Sequence, residues 1–388
     1  MNATGNWNYP TSVKFGAGRI RELPDLCRAH GISRPLLVTD AGLANAPITT
    51  AALRSLVDAG LGAALFADAK PNPVEANLVE GLNAYRRGQH DGVVAFGGGS
   101  GLDMGKLIAF MSGQSRPVWD FEDIGDWWTR ADPAGIAPVI AVPTTAGTGS
   151  EVGRAGVLTD IRDGHHGKKI IFHPAMMPKA VICDPELTVG MPARITAGTG
   201  MVAFSHCLEA YCAPGFHPMA DGIAVEGMRL VKAALARAVE SPGDLDARAD
   251  MMAAAAMGAT AFQKGLGGMH ALAHPVGALF DTHHGMTNAV LIPYVLAFNR
   301  EAVADRMQRL SAWLGLDDPG FDAFQRFVLD LRARIGVPHT LVELGVEGDR
   351  CALLADMAAL DPSAAGNPRR FDRAAAAEVL ENAMHGRL

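Results

Sequence analysis

Four histidines stand at spacings that can carry chemistry. His270 and His274 are four residues apart within GGMHALAHPVGALF, so they fall on one face of a helix. His284 comes shortly afterwards, and His206 lies on an earlier helical stretch, MVAFSHCLEAY. Neutral imidazole is a borderline donor that suits a divalent transition metal. Spacing alone leaves that reading level with histidines satisfied inside an apolar core. HALAH lacks the glutamate of HExxH, so zinc-protease chemistry is not indicated.

A second cluster is built of glycine. Gly97, Gly98, Gly99, Ser100 and Gly101 follow the apolar run 92–96 and lead into a helix from Leu102. Glycine lets backbone amides approach a pyrophosphate, and a helix N-terminus adds partial positive charge. The pattern is neither GxGxxG, because Leu102 takes the third glycine's place, nor a Walker loop; a plain tight turn is the alternative. Asp103 and Lys106 offer an acceptor and a cation on the first turns of that helix, or serve as cap and surface charge. Asp40 ends an apolar run (VTD), where a carboxylate can bind a ribose diol and repel a 2′-phosphate, which favours NAD over NADP. A helix N-cap is the competing role. Thr144, Thr145, Gly147, Thr148, Gly149, Ser150 and Glu151 follow another strand-like run and suit phosphate or nicotinamide contacts, or form a polar loop.

Positioning these groups requires elements of two kinds. Residues 35–39, 64–66, 92–96, 136–142 and 180–183 read as buried parallel strands, with helices between them such as 51–59 and 74–87. This alternation predicts βαβ units and a doubly wound sheet. After Asp184-Pro185 the strand signal stops and helical periods take over. Val303, Met307, Leu310 and Leu314 form one such face, ended by Gly315; Phe324, Phe327, Val328, Leu331 and Ile335 form another, closed by Gly336 and Pro338. Ile223, Gly227, Leu230 and Ala234 form a third. The expected organisation is an α/β dinucleotide-binding domain over 1–185 and an all-helical domain over 186–388, with a ligand in a cleft between them.

Composition agrees with that scale. A chain of 388 residues exceeds one ordinary core, and 49% apolar against 19% charged residues excludes a disordered chain. The 44 glycines show no collagen period, so they mark turns and close approaches. With 34 basic and 41 acidic residues the net charge is −7, giving no bulk affinity for nucleic acid or anionic lipid. Five cysteines without a CxxC pair argue against a disulfide framework and fit a reducing cytoplasm. The opening MNATGNWNYPTS does not read as a signal peptide, and no apolar run is long enough for a membrane span.

GGGSGLDMGK, PTTAGTGSEV, DPELT, TGMVAFSHCLEAY and GLGGMHALAHPVGALFDTHHG, in this order, resemble the iron-containing (group III) alcohol dehydrogenase family. The similarity extends from FGAGRI near the start to Asn367-Pro368-Arg369. It implies a nucleotide-binding α/β domain followed by a helical domain, as in the dehydroquinate synthase-like fold. It also implies a cytoplasmic, often dimeric enzyme that interconverts alcohols and aldehydes with NAD(P). Carried over by position, pyrophosphate falls on Gly97, Gly98, Gly99 and Ser100, with further cofactor contacts on Asp103, Thr144, Thr145 and Lys168. Asp40 matches the position that selects NAD. A metal, Fe²⁺ or Zn²⁺, would be held by His206, His270 and His284, and His274 matches a histidine near the nicotinamide, a proton relay. The family's fourth ligand, an aspartate, is replaced by Val202.

The implied reaction is hydride transfer between a nicotinamide and a small alcohol, aldehyde or keto acid, assisted by metal if three histidines suffice. Val202 keeps open a metal-independent reductase of the maleylacetate type, and also a homologue that binds NAD without catalysis. Asp281 and Glu209 could replace the lost ligand, though surface or supporting roles fit them better. Lys264 reads as a surface lysine, or as a contact for an acidic substrate group.

Overall fold

Short aliphatic runs, buried on both faces and closed by turn residues, build the sheet of the N-terminal half. The computed structural model describes residues 11–162 and 167–388. The chain divides into two compact units, with the break after Val189. Among the described residues eight strands lie in the first: β1 (Ser12–Phe15), β2 (Pro35–Asp40), β3 (Ala64–Ala69), β4 (Gly92–Gly97), β5 (Val139–Pro143), β6 (Ala155–Asp160), β7 (Gly167–Phe172) and β8 (Ala180–Cys183). Six of them form one parallel sheet in the order β1-β8-β5-β4-β2-β3, and β6 and β7 pair antiparallel beside it as a second sheet. Every residue of β4 and β5 is buried, as central strands covered on both faces require. The helices between are α1 (Leu23–Ala29), α2 (Pro47–Asp58), α3 (Glu75–Arg87) and α4 (Gly99–Met111).

Three differences from the sequence expectation have physical causes. The strand expected over 136–142 begins only at Val139, because the Ala137 N–H donates to the Ala109 carbonyl at the end of α4 instead of joining the sheet. The edge strand β1 is short and mostly exposed, so it carries no buried apolar run. In the small β6–β7 sheet, β6 alternates half-buried and buried positions and β7 is half-buried except at Ile171, so the pair gives no continuous apolar signal either.

The second unit is helical: α5 (Ala193–Cys212), α6 (Pro218–Glu240), α7 (Leu245–Ala261), α8 (Gly268–Phe280), α9 (His284–Trp313), α10 (Phe321–Arg334), α11 (Cys351–Leu360) and α12 (Arg373–His385). Helix α5 is buried nearly all round and packs on α6, α7 and α9, while α8 packs on α9 and α11. The expected stops hold: Gly315 and Gly336 follow α9 and α10 with φ of 62° and 73°, a left-handed turn that glycine adopts without strain. On α6 the buried face runs through Ala224, Gly227, Met228, Val231, Ala234 and Leu235. Ile223 and Leu230, expected on that face, lie at its half-buried border. No helix among the described residues is long and apolar enough to cross a membrane.

Candidate functional site

At the C-terminal end of β4 the chain turns through Gly97, whose φ of 139° is open to glycine and strained for other residues. A Cβ at Gly97 would lie 3.3 Å from Thr39 Oγ1 and 3.5 Å from Asp40 Oδ2. The parallel register of β2 and β4 thus sets Asp40 beside the glycine turn. A Cβ at Gly98 would meet Thr145 at 3.3 Å, and one at Gly99 would meet Thr148 at 2.8 Å. The Thr144 N–H donates to the Gly97 carbonyl at 2.9 Å and ties the loop after β5 to the same turn. Asp40, Gly97, Gly98, Gly99, Thr144 and Thr145 are therefore neighbours at the mouth of α4.

Asp40 is not a helix N-cap. Its Oδ1 accepts from the Leu43 N–H at 3.2 Å within its own turn, whereas α2 starts at Pro47 with Ala46 as cap. Ser100 donates its hydroxyl to the Pro71 carbonyl at 2.6 Å. Asp103 faces into the protein, where Oδ1 accepts from Ser150 Oγ at 2.5 Å and Oδ2 from the Val157 N–H at 3.1 Å. Lys106 is no surface charge: it is buried, donating to the Ser150 carbonyl at 2.9 Å and to that of Ala155. Burial pulls its ammonium pKa down against the pull of Asp103, while the buried carboxyl of Glu151 is pushed up to about 7. Lys106 and Asp103 hold the 150–157 segment onto α4. Lys168 stands on β7 opposite Thr159.

In the helical unit four imidazoles gather from three helices. The His206 ring on α5 stacks on His270 of α8 with centroids 4.9 Å apart. His270 lies 5.4 Å from His284, the first residue of α9, and 5.8 Å from His274. His274 and His284 stack at 5.6 Å. The close approach of α9 to α5 makes this meeting feasible. A Cβ at Gly285 would overlap the Gly198 carbonyl and stand 3.0 Å from Val202 Cγ2. Val202, one turn before His206, is buried at this joint.

Carboxylates and an amide orient the rings. Buried Glu209 accepts from the Met269 N–H at 2.7 Å with Oε1 and holds His270 Nδ1 at 2.5 Å with Oε2. It supports a ring and is not a fourth member of the cluster. Asp361 Oδ2 holds His274 Nδ1 at 2.8 Å, and Asn288 Nδ2 meets His284 Nε2 at 3.0 Å. Burial, reinforced by the nearby His270 and His274, drives the His206 pKa well below the usual histidine value, so its imidazole is neutral. Asp281 ends α8 with a left-handed φ of 50°, exposed to solvent. Lys264 fits neither of its expected roles: it is buried, in an ion pair with Asp221 at 2.5 Å.

His206 Nδ1 and His270 Nε2 are buried without a hydrogen-bond partner. Buried imidazole nitrogens left in that state suit a divalent cation. As placed, however, no three His, Cys, Asp or Glu side chains among the described residues are grouped to hold a metal ion. Donor chemistry therefore fits a metal, and binding one requires the rings to draw inward. Of the supporting residues that the sequence reading missed, Asn288 could have been found four residues after His284 on one helix face. Asp361, 87 residues from His274, has no local signal.

Two sequence profiles match the chain: "Iron-containing alcohol dehydrogenase" over residues 10–185 and "Fe-containing alcohol dehydrogenase family, C-terminal" over 196–384. The chain is 40% identical to a 4-hydroxybutyrate dehydrogenase of Cupriavidus necator, over 97% of this chain and 99% of that protein. It is 32% identical to an NAD-dependent methanol dehydrogenase of Bacillus methanolicus, over 98% and 100% respectively. The crystal structure of a 1,3-propanediol oxidoreductase superposes with a TM-score of 0.92 at 33% identity, covering 98% of this chain and 99% of that one.

Proposed function

The chain belongs to the iron-containing alcohol dehydrogenase family, and from that premise we propose an NAD-dependent oxidoreductase that moves hydride between the nicotinamide and a small alcohol or its aldehyde. The observation that carries this reading is the four-imidazole cluster, with the nitrogens of His206 and His270 buried and unpartnered.

Gly97, Gly98, Gly99 and Ser100 at the start of α4 receive the pyrophosphate, where backbone N–H groups and the helix dipole favour an anion. Thr144, Thr145 and Lys168 complete the cofactor site, Asp103 serves it by holding Ser150 and Val157 rather than by touching the cofactor, and Asp40 accepts from the ribose hydroxyls and disfavours a 2′-phosphate. His206, His270 and His284 would hold the metal, which when bound supplies Lewis acidity toward the substrate oxygen. His274 takes the hydroxyl proton as hydride leaves the carbinol carbon, and returns it in the reverse direction. The same reading takes the protein as a cytoplasmic homodimer; its five free cysteines agree with a reducing compartment.

Metal analysis of protein purified without chelator, paired with NADH formation from 4-hydroxybutyrate, 1,3-propanediol and methanol, tests the proposal. Stoichiometric metal and chelator-sensitive turnover are expected. Val202 favours one second reading, a metal-independent reductase, because it sets a hydrocarbon side chain at the α5–α9 joint beside the cluster. NADH oxidation by aldehydes or keto acids that ignores chelator would establish that reading and overturn the first.

A further inference from the structure

Helix α8 presents two histidines one turn apart, and each gives its δ-nitrogen to a carboxylate from a different element. Glu209 of α5 takes His270, and Asp361 takes His274. The two pairs differ in exposure. His270 and Glu209 are sealed in the interior, at 2% and 4%, whereas the side chains of His274 and Asp361 keep 22% and 13% of their surface. The inner pair fixes a ring whose remaining nitrogen is buried; the outer pair fixes one that reaches solvent.

Asp361 is itself rigidly held. It follows the last residue of α11 and caps the next turn, its Oδ1 accepting from the Ser363 N–H at 2.8 Å. Oδ2 is left for His274. Burial pushes the Asp361 carboxyl up, but the His274 hydrogen bond and the Ser363 contacts outweigh it, so the group is a carboxylate, an acceptor only. An acceptor at Nδ1 requires the hydrogen there, so that in the uncharged form of the ring the lone pair is on Nε2.

We propose that Asp361 is the positioning residue of the proton-transfer histidine: it locks His274 in the Nδ1–H tautomer and aims Nε2 at the substrate hydroxyl. In alcohol oxidation Nε2 accepts the hydroxyl proton while hydride passes to NAD⁺, and the proton then leaves to water from the exposed ring. The inference rests on the role proposed above for His274.

Asp361→Asn tests it, because asparagine preserves the cap at Ser363 while its amide can present a donor to Nδ1. Expected are a ~10–100-fold loss of kcat with KM for NAD within about twofold, and a thermal midpoint close to that of the parent. Nitrogen-15 histidine spectra should show the His274 tautomer reversed. Asp361→Glu should recover part of kcat. His274→Ala and the double variant should lose kcat to the same extent as each other. If Asp361→Asn keeps full kcat, or its tautomer is unchanged, while His274→Ala is impaired, the positioning role is overturned and His274 stands. If His274→Ala is also fully active, the proton-transfer reading itself falls.

Discussion

A carboxylate one hydrogen bond away decides which nitrogen a histidine can offer, and this is where residue identity meets chemistry. Glu209 holds His270 Nδ1 and leaves Nε2 for a ligand. Replacing it by glutamine keeps the volume and removes the charge. Glu209→Gln should weaken Fe²⁺ or Zn²⁺ affinity ~10–100-fold, read by competition with a chromophoric chelator. Unchanged affinity would mean that His270 is no ligand. In the first unit Asp40 has its Oδ2 directed toward the glycine turn, where the proposed function has it select the cofactor. Asp40→Ala should lower KM for NADP relative to NAD by about tenfold or more, the scale of one charge repulsion relieved near a protein surface. An unaltered cofactor ratio would remove Asp40 from the selection. The histidines and Asp40 were legible as residue types; Asn288 was missed, although its helical spacing from His284 could have marked it. Glu209 was legible, with Asp281, as a replacement ligand or, better, as a surface or supporting residue; its pairing with His270 was not, since that partner lies 61 positions away.

Elements meet where side chains are small. Helix α4 lies on β4 because Gly105 has no Cβ, which would stand 2.5 Å from that of Ala95, and α9 reaches α5 because Gly285 faces the Gly198 carbonyl. The α9–α5 approach also delivers His284 to the cluster. Gly285→Ala forces the two helices apart and should cost ~1–3 kcal/mol of stability, seen as a lower thermal midpoint. Metal affinity should fall with it if His284 is a ligand; a variant as stable as the parent would show that the joint is slack. Helical and strand periods were readable wherever one face or both faces are buried, as in α10, β4 and β5. They were not readable in β1, which is mostly exposed, or in β6, whose buried face carries Gly156, Leu158 and Asp160 rather than an apolar row, or in the half-buried β7. Nor does a local period mark Val139 as the true start of β5, because a carbonyl of α4 takes the preceding N–H group.

Stability of the whole chain should report Glu151, the buried acid in the turn that follows β5. Burial holds the Glu151 carboxyl near 7, above its ordinary value of 4.5, so the native chain keeps a proton that the unfolded chain releases. The native state therefore binds more protons between those values. Its stability falls as pH rises from about 4.5 to about 7, and above that the full penalty remains. Glu151→Gln removes the titration, so its thermal midpoint should gain on the parent at pH 8 relative to pH 5. Equal differences at both pH values would contradict the assignment. At this scale the sequence by itself determined the two-part architecture, the glycine turn after a buried strand, and the family, because these reside in local period, composition and the order of motifs. Tertiary structure decided that Lys106 and Lys264 are buried, and that two carboxylates orient the two histidines of α8. It also placed a valine at the joint where α9 meets α5. Such contacts join residues tens of positions apart, and only the folded packing of helices brings them within hydrogen-bond reach.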